Sequence, residues 1–477
     1  MVGLINREHE SRRIQELWTR SGPTLALIYG RRRVGKSYFV QQFLQDHKGV
    51  YFLAADSTPL ENLGELLDQV RATFPDRDDA TLENYPAWRS ALRLLVELAA
   101  NEPLVVVLDE FGYLTAADKT LPSILQAVWD TREARRSHLK LILCGSELTS
   151  LSAIDDYGKP LHGRFDWVEI YKPLDYYDAG RFLDAASSRR TYSAREKLTA
   201  YGIYGGSGRY LAAINPSRSL GTNVAEQVLD PSGVFHREGE TLLHQERDIR
   251  DAAGYNAVLG AIAGGETEWG KIAASAHIEE DHLQVYMNRL MRVGWVRHET
   301  PFKEPKRRGI YRIADNMLKS WYRYVFRYRS ALQMTPPDMA WKELVAPNIP
   351  DYMGFFVFEE VAHQYLARFA SRHGLPMILE LGRWWSRKNE VELDIAAELK
   401  DGSYLYGECK WASSSVRRSE LTKLQWKVEQ LPHKAWKNQV RFILFSGGTF
   451  EPKLQQAAAE EGVILVDGDG LFSPPES

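Results

Sequence analysis

An α/β fold built on a buried parallel sheet is what this sequence predicts, and three stretches predict it. The apolar run Leu25-Ala26-Leu27-Ile28-Tyr29 leads into Gly30-Arg31-Arg32-Arg33-Val34-Gly35-Lys36-Ser37 and then into the amphipathic segment Tyr38 to Leu44. Leu104 to Glu110, LVVVLDE, is a second continuous apolar run and ends on two acids. Leu139 to Ser146, LKLILCGS, is a third and ends on a polar residue. Continuous apolar runs, as opposed to alternating ones, belong to strands covered on both faces.

The first stretch carries the full G-x-x-x-x-G-K-[ST] pattern between a strand and a helix. Backbone N–H groups of such a loop can approach phosphate oxygens, and the helix N-terminus adds positive potential. Gly30, Arg31, Arg32, Arg33, Val34, Gly35, Lys36, Ser37 and Tyr38 are therefore the expected cradle for ATP. Lys36 is expected to reach the β- and γ-phosphates and Ser37 to hold Mg²⁺. The acids closing the second run are the matching partners. Asp109 is placed to hold Mg²⁺, directly or through water, and Glu110 to polarise the attacking water.

The chain has 477 residues, 44% hydrophobic and 26% charged, which is a globular mix spread over about three domains. Its net charge of −3 excludes a polycation, so any nucleic-acid surface must be a local patch. No apolar run reaches the ~20 residues needed to span a bilayer, and MVGLINREHESRR has no apolar signal region. The two cysteines, Cys144 and Cys409, sit in apolar strand-like segments and fit a reducing compartment. A cytoplasmic protein with no membrane partner is the expectation.

Residues 3–20 read as a loop and a helix with Ile14, Leu17 and Trp18 on its apolar side. VYFLAA at 50–55 is a further strand, and 60–73 and 87–100 are helices. Leu161-His162-Gly163-Arg164 precedes another strand, Trp167 to Ile170. Arg164 is a candidate arginine finger, a guanidinium that stabilises charge on the transferring phosphoryl group, or else a solvated or structural arginine.

YGRRRVGKS, VVVLDEFGYL, LILCGS and PLHGRF, in this order and at these intervals, resemble the archaeal-type ATPases, a STAND-like branch of the AAA+ proteins. The resemblance covers most of residues 3–235. It implies an open parallel sheet with an extra strand between the two Walker motifs, followed by a helical lid. It also implies that Ser146 senses the γ-phosphate, with Glu147 and Thr149 as alternatives, and that Asn6-Arg7-Glu8 lies near the adenine end. The lid of this family commonly ends Gly-Gly-x-Pro; here Gly205-Gly206-Ser207-Gly208-Arg209-Tyr210-Leu211 has Gly208 in the proline position. Arg209 is then a lid-borne phosphate contact or a loop arginine at a helix start.

Residues 255–298 parse as three helices, and Trp295-Val296-Arg297 and Ile310 to Ile313 as a hairpin, the pattern of a winged helix-turn-helix. Lys303, Lys306, Arg307 and Arg308 form its basic turn. A DNA-binding wing and a protein-contact module both fit, since Glu279-Glu280-Asp281 at the third helix would repel a phosphate backbone. Trp321 to Tyr328 interleaves aromatics with arginine, suiting either base stacking or packing between domains. Pro336-Pro337, Pro347 and Pro350 mark a connector.

From about Met353 a compact α/β unit follows. Phe355 to Phe369 is a helix with Glu359 and Glu360. Asp394 lies on one strand and Glu408-x-Lys410 on the next, joined by the Asp401-Gly402 hairpin signal. Period two places Glu408 and Lys410 on one face and Cys409 on the other. Two carboxylates suit Mg²⁺ or Mn²⁺, and a neighbouring lysine can orient or deprotonate water. The unit resembles the PD-(D/E)xK restriction-endonuclease-like superfamily and the domain often joined to archaeal-type ATPases, in which Gly-Arg-Trp-Trp and Gly-Glu-Cys-Lys-Trp are characteristic. That resemblance implies Asp394 and Glu408 as metal ligands, Lys410 as the catalytic lysine, and Glu359 or Glu360 as the helical acid, with Glu359 preferred.

The expected order is thus a P-loop core (1–174), a helical lid (175–250), a winged helix (251–315), a connector (316–352) and a nuclease-like domain (353–477). ATP hydrolysis coupled to a DNA-directed nuclease is the expected function. A nucleotide-dependent switch or a transcription regulator, each with a non-cutting C-terminal domain, is the alternative. DNA is the expected macromolecular partner, with homo-oligomer formation left open.

Overall fold

The computed structural model describes residues 4–146, 153–187, 191–246, 251–307, 309–387, 390–412 and 414–473. β1 (Thr24–Tyr29), β2 (Gly49–Leu53), β3 (Leu104–Asp109), β4 (Leu139–Gly145) and β5 (Trp167–Ile170) make one parallel sheet in the order β2-β3-β4-β1-β5. β1, β3 and β4 are buried along their whole length, as strands covered on both faces must be. Alternate residues feed two layers. Leu25, Leu27, Val106 and Leu141 pack with the helices Pro59–Thr73 and Trp88–Leu98. Ala26, Ile28, Val105 and Val107 pack with Ile14, Leu17, Phe39 and Val40. β4 lies between β1 and β3, so the extra strand between the two Walker strands is present.

Downstream, the helices Ala252–Gly264, Trp269–Ala276 and Glu280–Arg292 lead into an antiparallel ribbon, β6 (Val296–Glu299) with β7 (Ile310–Ile313). The last sheet is mixed. β8 (Ile378–Trp385), β9 (Glu392–Leu399) and β10 (Tyr404–Lys410) run antiparallel, and β11 (Val440–Ser446) and β12 (Ile464–Val466) run parallel to β10. Gly402, at φ 83°, makes the turn from β9 to β10. The helix Arg418–Glu429 covers one face with its own apolar cluster around Leu421, Leu424 and Leu444. The helix Phe358–Phe369 packs on the other.

Residues 316–352, expected as a connector, are helical and partly buried. They form successive helical turns in which Trp321, Tyr322, Tyr324 and Val325 are buried. Trp321, Tyr322 and Tyr324 are therefore packing residues, while Phe326 and Tyr328 are half-buried at the edge of the same core. One apolar cluster runs from Leu174 through Leu259, Trp321 and Phe358 to Leu471. The helical residues between 174 and 243, the middle segment and one face of the C-terminal sheet share that core, because the prolines at 336–350 break helices locally without parting the chain. No described helix is long and apolar enough to cross a membrane. Cys144 and Cys409 are buried free thiols.

Trp321 lies at the centre of the shared core, with its indole N–H donating to the His236 carbonyl at 2.8 Å. Trp321→Ala is expected to cost about 3–5 kcal/mol, read as a lower urea midpoint by circular dichroism. A loss below about 1 kcal/mol would contradict a single shared core.

Candidate functional site

The phosphate loop leaves β1 at Gly30 and must pass against β5. A Cβ on Gly30 would stand 2.3 Å from the Tyr171 carbonyl oxygen, so no other residue fits there. Gly35 takes φ 104° just before the helix Lys36–Leu44, a left-handed turn that aims the helix N-terminus into the loop. Lys36 is buried, and its Nζ donates to the Gly30 and Arg31 carbonyls, each at 2.9 Å. Burial lowers its pKa from the ordinary lysine value, opposed by Glu110 and Asp109.

Asp109 closes β3 with no exposed surface. Its Oδ2 accepts from the Tyr51 hydroxyl at 2.7 Å and its Oδ1 from the Glu110 N–H at 2.9 Å. Burial, then the neighbouring Asp109 charge, raises the Tyr51 phenol, which also lies beside Ser37. Glu110 adopts φ 52°, ψ 44°, a left-handed conformation unusual for a residue with a side chain. That turn sends its carboxylate toward β4, where Oε2 accepts from the Ser146 hydroxyl at 2.8 Å and the Ser146 N–H at 3.2 Å. Arg32 stands 3.9 Å from the other oxygen.

These groups open on a cavity of about 1020 Å³. Arg32 through Tyr38 and Glu110 line it, together with the apolar Leu4, Ile5, Phe182, Ala186, Ile214 and Pro216. Arg7 lines it too, its guanidinium 3.9 Å from the Tyr171 ring centre. Arg209 enters from the lid. An excess of cations together with apolar walls fits a nucleoside triphosphate. Ser37 lines the cavity and the fully buried Asp109 carboxylate stands behind it, the Tyr51 hydroxyl hydrogen-bonding both; these are hard-oxygen groups of the kind that suits Mg²⁺.

Not every expected residue meets here. Gly30, Arg31 and Asp109 do not line the cavity, and Ser146 contacts it only through Glu110. Arg164 does not line it either. Its guanidinium is clamped on both Asp130 oxygens at 3.2 and 2.7 Å and donates to the Pro160 carbonyl. Within this chain Arg164 therefore takes the contacts of a structural arginine. Glu147, Thr149 and Arg308 lie outside the described residues. Tyr51 and the cation–π contact of Arg7 with Tyr171 had no sequence signal, since both depend on strand pairing.

In the C-terminal domain, Asp394, Glu408, Lys410 and Glu359 do come together. The Asp394 Oδ2 accepts from the Cys409 N–H at 2.9 Å. Burial first, and then the Asp394 charge, raises the Glu408 carboxyl. Lys410 donates to Glu408 at 3.0 Å, and Lys427 donates to its other oxygen at 2.6 Å. Lys427 is on the helix Arg418–Glu429; its four-residue spacing from Lys423 was the available signal. Burial, opposed by Arg383 and joined by Asp394, pushes Glu359 up to about 7. Arg312 of β7 and Arg383 of β8 each stand 3.2 Å from one Glu359 oxygen. Glu360 pairs instead with Arg297 at 3.2 Å. Each candidate metal ligand except Asp394 is thus already neutralised by two cations. Among the described residues, no group of three or more His, Cys, Asp or Glu side chains is arranged to hold a metal. As the side chains stand, Mg²⁺ or Mn²⁺ does not fit here.

The basic turn of the ribbon is engaged too. Lys303 pairs with Glu398 of β9 at 2.6 Å, and Arg307 pairs with Glu304 and donates to the Trp385 carbonyl at 2.8 Å. Two of its cations therefore serve contacts within the chain, contrary to a freely presented wing.

A phosphate loop on a five-stranded parallel sheet, with an acid pair two strands away and a nucleotide-sized cavity between loop and lid, defines a P-loop ATP-binding protein. Residues 4–214 match the family of ATPase domains found predominantly in Archaea, and residues 321–423 match a family described as archaea bacterial proteins of unknown function. The chain is 26% identical to the uncharacterized protein MJECL04 of Methanocaldococcus jannaschii over 85% of this chain and 87% of that one. It is 35% identical to the uncharacterized ATP-binding protein MJ0423 of the same organism over 48 residues, 10% of this chain and 81% of that one. The Walker-type ATPase paby2304 of Pyrococcus abyssi shares the fold, with a TM-score of 0.52 at 24% identity, over 67% of this chain and 96% of that chain.

Arg164→Ala is expected to leave ATP turnover within about twofold of wild type, as for loss of a partly exposed ion pair away from the site. A loss of about a hundredfold that appears only at concentrations where the chain self-associates would instead make it a finger acting on a neighbouring copy.

Proposed function

We propose that the chain hydrolyses Mg·ATP between its phosphate loop and its lid, and that this cycle governs a DNA-directed, nuclease-like C-terminal domain. The observation that carries the first part is the contiguous lining of one cavity by Arg32 to Tyr38 and Glu110. The backbone N–H groups of the loop and the Lys36 ammonium bind the β- and γ-phosphates. Ser37 and Asp109 hold Mg²⁺, which when bound neutralises charge on the phosphate oxygens. Glu110 orients the attacking water, and Ser146 holds Glu110 in its left-handed conformation until that water is placed. Arg209 binds phosphate from the lid side. The apolar walls from Leu4 to Pro216 receive the base.

For the C-terminal domain, the support is the meeting of Asp394, Glu408 and Lys410 on adjacent strands, with Glu359 beside them. The unit of three helices and the ribbon β6–β7 is read as a winged helix used for docking: Lys303 and Arg307 are engaged within the chain, and Glu279, Glu280 and Asp281 are acidic and exposed at the third helix. DNA contact is therefore assigned to the C-terminal domain. The alternative, a switch whose last domain does not cut, is favoured by the cations already seated on Glu408 and Glu359.

Lys36→Ala is expected to weaken ATP binding by about a hundredfold or more, measured with a fluorescent ATP analogue. Glu110→Gln is expected to keep binding and to lower phosphate release by about 10²–10³-fold. Unchanged turnover in Glu110→Gln would remove Glu110 from its role. Cleavage of supercoiled and single-stranded DNA with Mg²⁺ or Mn²⁺ is expected from wild type and not from Lys410→Ala. No cleavage under any condition, with ATP still hydrolysed, would favour the switch.

A further inference from the structure

We propose that a second cavity, between the helix Glu238–Gln245 and residues 321–333, binds a small phosphate monoester with a hydroxylated body, and that its occupant tightens ATP binding. The site itself is independent of nucleotide; the coupling rests on the reading that ATP binds at the phosphate loop. The cavity has a volume of about 390 Å³, room for a small organic molecule. Trp321 and Phe326 supply apolar walls, and Arg237 and Arg329 bring two guanidinium groups. Neither arginine meets a carboxylate among the described residues; Arg329 rests on the Phe326 ring, 4.8 Å from its centre. Two guanidinium groups without anions fit a phosphate, whose oxygens can accept from both. His236 lines the same cavity and is buried. Its Nδ1 lies 3.1 Å from the Val228 carbonyl, where only an N–H can bond, so Nε2 is the nitrogen left for a ligand. Glu240 is the one acid among the described residues that line the cavity. A carboxylate repels a dianion and accepts from hydroxyls, and Gln333, also in the lining, both donates and accepts. A bare anion leaves Glu240 unmatched. The ligand that matches every group is a phosphate monoester whose body carries hydroxyls, a sugar phosphate or a nucleoside monophosphate.

The helix that borders this cavity reaches the phosphate loop at both ends. Glu238, between Arg237 and Glu240 in sequence, is buried, pairs with Arg33 and accepts from the Tyr210 hydroxyl at 2.5 Å. At the other end the Gln245 carbonyl accepts from Arg32 Nη2 at 3.4 Å, and Gln245 lines the nucleotide cavity. The helix backbone also lies directly on Trp321 of the second cavity. A Cβ on Gly239 would stand 2.2 Å from the Trp321 ring, and the Trp321 indole N–H donates to the His236 carbonyl at 2.8 Å. A helix of 8 residues is about 12 Å long, short enough to move as one piece. A ligand bridging Arg237 and Arg329 fixes its first turn and holds Glu238 on Arg33. The loop is thereby kept in the conformation that receives phosphate, and occupation of the two cavities is mutually favourable.

Calorimetric titration of the full chain, with the nucleotide cavity filled by Mg²⁺ and the β,γ-imido analogue of ATP, tests the site. Ribose 5-phosphate or AMP is expected to bind once per chain, about tenfold or more tighter than inorganic phosphate. Arg237→Ala and Arg329→Ala are each expected to weaken it about tenfold, as for loss of one charge-assisted pair. Both side chains are exposed, so neither substitution endangers the fold, which circular dichroism checks. Tighter binding of AMP assigns a nucleoside body and tighter binding of ribose 5-phosphate a sugar; either result supports the site. No binding of either ester, inorganic phosphate binding as tightly as both, or affinity unmoved in both variants overturns it. The same titrations without the analogue read the coupling: the Arg237-dependent binding is expected to be about fivefold weaker. Equal affinity with and without the analogue overturns the coupling. If the analogue itself does not bind while the Arg237-dependent binding persists, the reading of ATP at the phosphate loop fails and the site stands.

Discussion

A loop that presents its backbone N–H groups to phosphate has to turn its side chains outward, and here three consecutive side chains are arginines. Outward-facing guanidinium groups in a partly buried loop need anions, and each finds one on a different downstream element. Arg31 reaches Asp315 at the base of the ribbon. Arg32 approaches Glu110 and donates to the Tyr113 hydroxyl at 3.2 Å. Arg33 pairs with Glu238 of the lid helix Glu238–Gln245, whose carboxylate also accepts from the Tyr210 hydroxyl at 2.5 Å. The three arginines thus tie the base of the ribbon, Glu110 and the helix Glu238–Gln245 to a single loop. Arg33 holds φ 70°, a conformation costly for arginine, and its carbonyl accepts from Ser207 of the lid.

The second concentration of charge lies where the ribbon meets the C-terminal domain. Arg297, Glu299, Arg312, Lys319, Glu359, Glu360 and Arg383 are all largely buried there. Buried pairs of this kind add little net stability, because desolvation offsets their attraction. Burial pulls Lys319 down to about 8 even with Glu360 nearby. Apolar packing through the core from Leu174 to Leu471 holds the segments together, and the charges select one docking geometry. A geometry chosen by charge can be unlocked by moving one partner, whereas an apolar interface of that size cannot.

Where a residue type is forced by the backbone, the sequence was legible. Gly30, Gly35 and Lys36 stand where a phosphate loop needs them, and LVVVLDE and LILCGS became fully buried parallel strands. The Asp401-Gly402 turn and period two placed Asp394, Glu408 and Lys410 on neighbouring strands. Long-range pairing was not legible. Prolines at 336–350 record local breaks and say nothing of the aromatic core built around Trp321. Arg164 had the right position after Gly163 for a finger, and only the fold shows Asp130 beside it. Basic residues at 303 and 307 read as a wing because the Glu398 carboxylate and the Trp385 carbonyl that they reach lie on other strands. The pairing of Arg312 with Glu359 joins residues 47 apart in sequence, and no periodicity could reveal it.

The central claim is that the base and phosphates of ATP are clasped between the phosphate loop and polypeptide from the lid. Photolabelling with 8-azido-ATP, followed by peptide mapping, tests it most directly. ATP-competed label in peptides containing Leu4 to Arg7, Phe182 to Ala186 or Ala212 to Pro216 is the predicted result. Label that excess ATP displaces but that maps wholly outside these segments would contradict it.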